Sequence, residues 1–236
     1  MAERDRAYQS FRNANPPLLS PVLDQGRTSL CWSIPPTRQL EALLRLYHPR
    51  FPQDGTLSVQ ELINLVPVVR PRDCGAISDL ETATTYLLSP GLVFESLCRL
   101  TFVLNQRRQY RYPPQRWRAT YTRVYDIDHD ADGRGDMVEE MILQEFAVGP
   151  VSVAICALSS YFAWDGQGVF VPNHDDDMDR GDFHVVLVTG SGVNANGIPF
   201  LEIQESYGES CGVDDGFFRL AMGYSMFRMC IIMRVL

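Results

Sequence analysis

The stretch PVLDQGRTSLCWSI, residues 21–34, decides how this chain is interpreted. It places Gln25 six residues before Cys31 and a tryptophan directly after that cysteine. Apolar residues at helical spacing follow over residues 37–48, which puts the thiol on a loop that opens into a helix. A helix N-terminus favours a thiolate, and a nearby amide can donate a hydrogen bond to an oxyanion. The stretch therefore predicts a cysteine nucleophile.

Size and charge argue against several classes of protein. The chain has 236 residues, 45% of them hydrophobic, which is enough to bury a core without a partner, and we expect a monomer. The net charge of −8 argues against a nucleic-acid-binding surface, which requires a basic field. No stretch approaches the about 18 apolar residues of a membrane helix, so no membrane partner is expected.

Helical patterns dominate the first half of the chain and strand patterns the second. Three segments of the first half have apolar residues at helical spacing: 37–48, 57–66 and 78–91. After an arginine- and tyrosine-rich connector, one helix is predicted over 136–147, and three β-rich runs predict strands: GPVSVAI, FHVVLVTGSG and IPFLEIQES. This order predicts one α+β domain over residues 1–236, with a helical lobe over 16–115, a β-rich lobe over 116–236 and a cleft between them.

A cysteine nucleophile needs a base, and His184 is the strongest candidate among the four histidines. His48 sits at a predicted helix end, and the two others lie in acidic loops. His184, by contrast, begins an apolar strand that would hold it rigidly. It follows Cys31 by 153 residues, which suits a nucleophile on one lobe and a base on the other.

Five motifs in the same order resemble those of the papain-like cysteine peptidases and cover most of the chain. They are DQGRTSLCW, LSVQEL, GPVSVAI, GDFHVVLVTGSG and QESYGESCGVDDGFFRL. In order, they resemble the family's nucleophile segment, its LSEQEL helix, its GPVSVAI strand, its histidine segment and its KNSWGxxWGxxGY segment. The resemblance implies a two-lobed fold, with a helical left lobe and a β-barrel-like right lobe around an active-site cleft. It also implies a thiol peptidase that acts on peptides or proteins and requires no cofactor.

The resemblance assigns a role to each catalytic residue. Cys31 would be the nucleophile and His184 the general base and acid. Gln25 and the backbone N–H of Cys31 would form the oxyanion hole, and no metal is implied. Glu205 stands where the family has the asparagine that orients the histidine. A carboxylate can accept the histidine N–H and would favour the imidazolium more strongly than an amide.

Four further residues are implied to contact the substrate or to shield the site: Gly75, Ala154, Val185 and Tyr207. Ala154 and Val185 fall at positions that line the pocket for the second residue before the scissile bond. Both are small and apolar, which suits a bulky hydrophobic side chain. Tyr207 takes the place of a tryptophan that shields the catalytic hydrogen bond.

Two departures from the family lie next to the nucleophile. Pro35 and Pro36 carry no N–H, which predicts that the helix restarts at Pro35 and leaves Cys31 outside its first turn. The usual Gly-Ser pair is Ser29-Leu30 here, so a branched side chain must enter a tight spot. An alternative stays open: a catalytically inactive papain-fold protein that binds peptides or a protein partner in the cleft. A redox-sensing thiol protein is less favoured, because no second cysteine lies close in sequence.

The cysteines indicate a reducing compartment. By the resemblance, three family disulfides have each lost one partner: Cys74 faces Thr28, Cys98 faces Leu65, and Cys230 faces no cysteine near 172–182. The motif SFR, residues 10–12, resembles the DWR near the family's mature N-terminus, so we expect a chain without signal peptide or propeptide. We expect a cytoplasmic protein. A vacuolar, lysosomal or secreted protein is the alternative if the gene encodes an upstream signal and propeptide.

Two acidic segments each allow two interpretations. Residues 128–139 have the spacing of an EF-hand calcium loop, through Asp128, Asp130, Asp132, Gly133, Asp136 and Glu139. They form either a structural calcium site remote from the cleft or a solvated loop that caps the helix 136–147. The run HDDDMDRGD, residues 174–182, is either a solvated turn or a feature of the cleft rim. At the rim it would raise the pKa of His184 and favour basic peptides.

Overall fold

The computed structural model describes residues 6–68, 75–104, 110–130, 133–173 and 182–235. The helices within these ranges are α1 (Ile34–Tyr47), α2 (Val59–Leu65), α3 (Leu80–Leu88), α4 (Gly135–Phe146) and α5 (Ser159–Phe162), with a short 3₁₀ helix at Phe11–Asn13. The strands are β1 (Arg6–Ser10), β2 (Tyr121–Asp126), β3 (Val151–Cys156), β4 (Phe183–Val193), β5 (Pro199–Gln204), β6 (Phe217–Ala221) and β7 (Phe227–Arg234). None of these helices is both long and apolar enough to cross a membrane.

The predicted helices and strands form where the patterns placed them. The four predicted helices correspond to α1 to α4, and the three predicted strands to β3 to β5. Ser58 caps α2 by accepting a hydrogen bond from the N–H of Glu61 at 2.9 Å. The segment TRVYDI before the acidic loop, which has strand character, forms β2. The sequence analysis did not predict β1, β6 or β7.

The strands form one antiparallel sheet in the order β2-β7-β3-β4-β5-β6, with β1 paired to the far end of β4. The central strand β4 pairs with β3 along its first half and with β5 along its second half. This register places Ala154 opposite Val185 and Ile155 opposite His184. His184 is therefore fixed at the start of the central strand by a fully buried neighbour.

The buried apolar residues form two clusters. One joins α1, α2 and α3 to one face of the sheet and includes Leu40, Leu62 and Ile231. The other packs α4 and α5 against the sheet and includes Ile142 and Ile155. The α+β fold class expected from the sequence is confirmed, while the boundaries of the two lobes stay a prediction.

Candidate active site

Cys31 lies in the turn that precedes α1 and not in the helix itself. The helix begins at Ile34, one residue before the predicted restart, and both prolines lie in its first turn. Because Pro35 and Pro36 have no N–H, they donate no helical hydrogen bond to the carbonyl oxygens of Cys31 and Trp32. The thiol therefore has less help from the helix end than a cysteine inside the first turn would have.

The turn that carries Cys31 is held from both sides. The backbone N–H and the hydroxyl of Ser33 donate to the carbonyl of Leu30 at 2.9 and 2.7 Å. The indole of Trp32 donates to the carbonyl of Gly75 at 2.8 Å. Gly75 has a φ of +99°, and a Cβ there would lie 2.6 Å from Cδ2 of the fully buried Leu30. The branched side chain before the nucleophile fits because residue 75 has none.

His184 and Glu205 form a buried ion pair that faces Cys31. Nε2 of His184 lies 2.8 Å from Oε2 of Glu205, and the ring also makes a hydrogen bond with the thiol of Cys31. Since Nε2 is engaged by the carboxylate, Nδ1 is the nitrogen that faces the thiol. Oε2 also accepts from the N–H of Ser206 at 3.0 Å, and Oε1 accepts from the hydroxyl of Tyr161. The buried carboxylate thus has a donor on each oxygen.

Cys31, His184 and Glu205 form a hydrogen-bonded row, and the charges of this row favour its ionised form. Burial raises the pKa of the Cys31 thiol, but the hydrogen bond and charge of His184 outweigh burial and leave that pKa lowered. Burial lowers the pKa of His184, but the charge of Glu205 and the hydrogen bonds to both neighbours raise it to about 10. Burial raises the pKa of Glu205, yet the charge of His184 and the donated hydrogen bonds hold it below its usual value. These directions favour a thiolate, an imidazolium and a carboxylate at neutral pH.

Gln25 is buried beside this row and is linked to it through Ser206. The Gln25 N–H donates to the Ser206 carbonyl at 2.8 Å, and Gln25 Oε1 accepts from the Ser206 hydroxyl at 2.6 Å. Nε2 of Gln25 donates to the carbonyl of Thr28 at 2.6 Å. Since an amide nitrogen carries two hydrogens, Nε2 has one that the bond to Thr28 does not use. The role of Gln25 as a donor to the oxyanion stays a prediction.

Tyr207 covers the catalytic histidine. Its ring stacks on His184 with centroids 5.3 Å apart and an interplanar angle of 14°. Phe162 meets both rings edge-on, at 5.7 Å from His184 and 6.2 Å from Tyr207. The structure thus stacks Tyr207 on the ring of His184, and its role as a shield of the hydrogen bond to Glu205 stays a prediction.

A cavity of about 770 Å³ opens beside Cys31. Ala154, Val185 and Met229 form part of its apolar wall, together with Ala76 and Ile77, which follow Gly75 in the chain. Carboxylates also line it: Asp79, Glu81, Asp126, Asp130 and Asp182. The structure therefore brings the two predicted pocket residues to the cleft. Gly75 does not line this cavity itself, but its carbonyl binds the indole of Trp32, which does.

The predicted calcium loop is held by contacts within the protein. Three of its four described acidic members have these partners: Asp128 with Arg228 at 3.1 Å, Asp130 with Arg123, and Glu139 with the N–H of Gly223 at 2.9 Å to each oxygen. The fourth, Asp136, is exposed in the first turn of α4. Asp132 and residues 174–181 lie outside the described residues. In the part of the chain that the structure describes, no group of three or more His, Cys, Asp or Glu side chains could hold a metal ion. The calcium site stays a prediction.

Cys98 and Cys230, which the resemblance assigns to incomplete disulfides, are buried thiols. Cys74 lies outside the described residues.

The sequence analysis missed three contributors to the site: Tyr161, Phe162 and Ser206. A chemical signal could have pointed to a residue like Tyr161, because each oxygen of a buried carboxylate needs a hydrogen-bond donor. Glu205, at a position where the family has an amide, therefore requires such a donor. Phe162 offers no such signal, since its contact depends on how α5 packs against the sheet.

Comparisons with known proteins point to one family. The model of the papain family cysteine proteases matches residues 9–235. The oryzain gamma chain of Oryza sativa subsp. japonica is 27% identical over 209 residues, and the thiol protease aleurain of Arabidopsis thaliana is 26% identical over 215 residues. Both matches cover 89% of this chain and 54% of the relative, so the chain spans about half the length of these relatives.

Two solved structures show the same fold. The bromelain protease from Ananas comosus has a TM-score of 0.74 at 14% identity, covering 97% of this chain and 99% of that chain. Procathepsin L2 from the larval midgut of Tenebrio molitor has a TM-score of 0.73 at 22% identity, covering 99% of this chain and 69% of that chain. At these identities the likeness establishes the fold alone.

Proposed function

The chain belongs to the papain family of cysteine proteases, and on that premise we propose that it is an active cysteine endopeptidase. The observation that carries the proposal is the hydrogen-bonded row of Cys31, His184 and Glu205, with 2.8 Å between the histidine and the carboxylate. In its charged form this row holds a thiolate, which is the nucleophile that cysteine catalysis requires.

In the proposed reaction, the Cys31 thiolate attacks the carbonyl carbon of the scissile peptide bond. Nε2 of Gln25 and the backbone N–H of Cys31 hold the oxyanion that forms. His184 then gives its proton to the leaving amine as the carbon–nitrogen bond breaks and a thioester remains. His184 next takes a proton from water, whose oxygen attacks the thioester and releases the acid and the thiolate. Glu205 keeps the ring oriented and stabilises the imidazolium in both steps.

We propose peptides or proteins as substrates, with a bulky apolar side chain two residues before the scissile bond. The cavity of about 770 Å³ supports this choice, because its wall beside Cys31 includes Ala154, Val185 and the flexible Met229. The carboxylates that line the same cavity favour substrates with a basic residue nearby. A matched pair of peptides that differ only in leucine or aspartate at that position tests the apolar preference.

One observation favours a second candidate function. Cys31 lies before α1, where the two prolines remove part of the helix-end stabilisation of a thiolate. If the thiol stays protonated for this reason, the same cleft would bind a peptide without cleaving it. The two candidates differ in the ionisation of a single sulfur atom.

Alkylation kinetics distinguish them, with Cys211 as a control inside the same molecule. Burial, together with the charges of Glu205 and Asp24, raises the pKa of Cys211. We expect iodoacetamide to modify Cys31 rapidly at pH 6 and Cys211 only slowly below about pH 8. Peptide mass mapping after timed exposure gives both rates, and the His184→Ala variant should slow the reaction of Cys31 alone.

Hydrolysis of a fluorogenic peptide completes the test. Turnover by the wild-type protein that disappears in Cys31→Ala supports the peptidase. The second candidate is supported if Cys31 follows the same pH curve as Cys211 and the peptide binds without being cleaved.

A further inference from the structure

We propose that Tyr161 is a positioning residue of the catalytic group, whose hydroxyl keeps the Glu205 carboxylate ionised and turned toward His184. The inference rests on the proposed peptidase function and adds a fourth residue to the row that begins at Cys31. Tyr161 does not contact the thiol or the peptide in this scheme and acts only through the carboxylate.

The geometry around Glu205 assigns each carboxylate oxygen a task. Oε2 accepts from Nε2 of His184 at 2.8 Å and from the N–H of Ser206 at 3.0 Å. Oε1 accepts from the hydroxyl of Tyr161. Glu205 is 2% exposed and Tyr161 is 5% exposed, so this hydroxyl takes the place of the water that would otherwise solvate Oε1.

The ring of Tyr161 is fixed by aromatic packing. It lies in the short helix α5 and meets Phe170 at 5.4 Å and Phe218 at 6.1 Å between ring centroids, both in edge-on arrangements. These rings belong to the second core cluster. This packing therefore fixes the position of the Tyr161 hydroxyl. Its hydrogen bond in turn fixes the orientation of the Glu205 carboxylate.

The direction of the hydrogen bond is also fixed. Burial, followed by the charge of Glu205, raises the pKa of Tyr161 well above its ordinary value, so the phenol keeps its proton and always donates. Hydrogen bonds from Tyr161 and Ser206 contribute to lowering the pKa of Glu205 after the larger influence of His184. A glutamate that lost its donor on Oε1 would bind a proton more readily and would stabilise the imidazolium less.

A carboxylate at this position needs such a partner more than an amide does. The asparagine that the family has here is neutral, whereas Glu205 brings a full charge and an additional methylene into a dry site. A charge-assisted O–H···O⁻ bond is among the stronger ways to satisfy a buried carboxylate oxygen. Tyr161 thus makes the exchange of asparagine for glutamate compatible with a working base.

The test compares Tyr161→Phe with Tyr8→Phe. The control is matched, because Tyr8 also donates its hydroxyl to a buried glutamate, Glu202. Tyr8 lies in β1, which pairs with β4, and Glu202 lies in β5. Both variants keep the ring and lose one hydroxyl. We would measure kcat and KM for a fluorogenic peptide, and the alkylation rate of Cys31, from pH 4 to 10.

We expect Tyr161→Phe to lower kcat about tenfold, in line with losing one hydrogen bond to a charged group, and to leave KM within about twofold. The pH range over which Tyr161→Phe is active, measured as kcat, should become narrower at both its acidic and its alkaline end. Protonation of Glu205 moves the acidic limb to higher pH, and a less stabilised imidazolium moves the alkaline limb to lower pH. Tyr8→Phe should keep the wild-type profile.

A double variant decides between positioning and general stability. If Tyr161 acts through the carboxylate, Tyr161→Phe should have no further effect on the profile in a Glu205→Gln background. An unchanged profile width in Tyr161→Phe, or effects that add fully in the double variant, would overturn the inference. If Tyr161→Phe folds poorly, the coupling is measured on the free energy of unfolding of all four proteins. A loss of stability that disappears in the Glu205→Gln background supports the contact with the carboxylate, and an equal loss in both backgrounds overturns the inference. If the wild-type protein does not hydrolyse peptides, the peptidase proposal fails, and the alkylation profile of Cys31 still tests Tyr161.

Discussion

The two sides of the catalytic cleft are held by different means. On the sheet side, His184 begins the central strand and Glu205 follows β5, and every polar atom described at their junction has a partner. On the helical side, Cys31 lies in a turn before α1, where two prolines remove backbone donors. The ionised form of this site therefore depends mainly on His184 and Glu205.

Magnitudes support this division. A helix end contributes about 0.3–1 kcal/mol to a nearby charge, and part of that is lost at Cys31. A pKa change of one unit corresponds to about 1.4 kcal/mol, and the raised pKa of His184 exceeds that change. A carboxylate in place of the family's asparagine can therefore offset what the prolines remove.

The largest effect is expected from removing the base. His184→Ala should lower kcat/KM by about 10⁴-fold, because Cys31 loses both its charge partner and the proton donor for the leaving amine. His48→Ala is the control, since His48 packs edge-on against Trp117 away from the cleft. Peptide hydrolysis by both variants checks the prediction. Hydrolysis by His184→Ala near the wild-type rate would show that another group serves as base.

Removing the negative charge of Glu205, which contacts His184, should have the next largest effect. Glu205→Gln keeps the shape and should lower kcat/KM by about 10³-fold, because the imidazolium loses its counter-charge. The alkaline limb of the pH profile should move to lower pH as the pKa of His184 falls. If kcat/KM changes less than about threefold, the helical side alone supports the thiolate, and the ionised form of Cys31 does not depend on Glu205.

The same substitution makes a prediction about stability. The pKa of His184 rises from 6.5 to about 10 in the folded protein, so its contribution to stability is complete below pH 6.5 and is lost as the pH rises through 10. The pKa of Glu205 is lowered from 4.5, so its contribution is complete above pH 4.5 and is lost at lower pH. Urea unfolding should therefore show the largest difference between wild type and Glu205→Gln between pH 4.5 and 6.5. A difference that is constant from pH 3 to 10 would contradict the buried ion pair.

The oxyanion donor on the helical side should matter less. Gln25→Ala should lower kcat by about 10²-fold, since one of two proposed donors to the oxyanion is lost. KM should change little, because this bond strengthens only as the oxyanion forms. Gln53→Ala is a suitable control, because Gln53 donates to the carbonyl of Arg45 at 3.1 Å in the helical region. Equal losses in the two variants would point to a general effect on folding.

The sequence predicted the parts of the site that local patterns carry. Gln25 and Cys31 share one loop, and His184 begins a clear apolar strand, so their roles could be inferred before any contact was known. Tyr161 could not be inferred in this way. Its hydrogen bond to Glu205 spans 44 residues and depends on how α5 packs against the sheet. Its surrounding sequence, SSYFAW, has no strand alternation and is too short to show a helical period.

The missed strands have a related cause. The segment of β7, FRMCIIMR, has a five-residue apolar run between two arginines and lies between β2 and β3. An apolar run this short fits a buried strand and a segment of a buried helix equally well, so the pattern alone does not identify the strand. Strand β1 depends on pairing with a distant partner strand, Ser191 opposite Gln9 being one register pair. Such long-range pairing is not encoded in a local pattern.

The smallest effect should come from restoring the backbone N–H that α1 lacks next to Cys31. Pro35→Ala returns an N–H that can donate to the carbonyl of Cys31 and extend the first turn toward the thiol. A contribution of about 0.3–1 kcal/mol from the helix end corresponds to a fall of about 0.2–0.7 units in the pKa of Cys31, measured by alkylation. Pro52→Ala, at an exposed proline outside the site, controls for the added freedom of the unfolded chain. No change in the pKa of Cys31 would mean that His184 and Glu205 alone determine whether the thiol is ionised. A fall of more than one unit would mean that the prolines limit the reactivity of Cys31 and that Glu205 offsets only part of their effect.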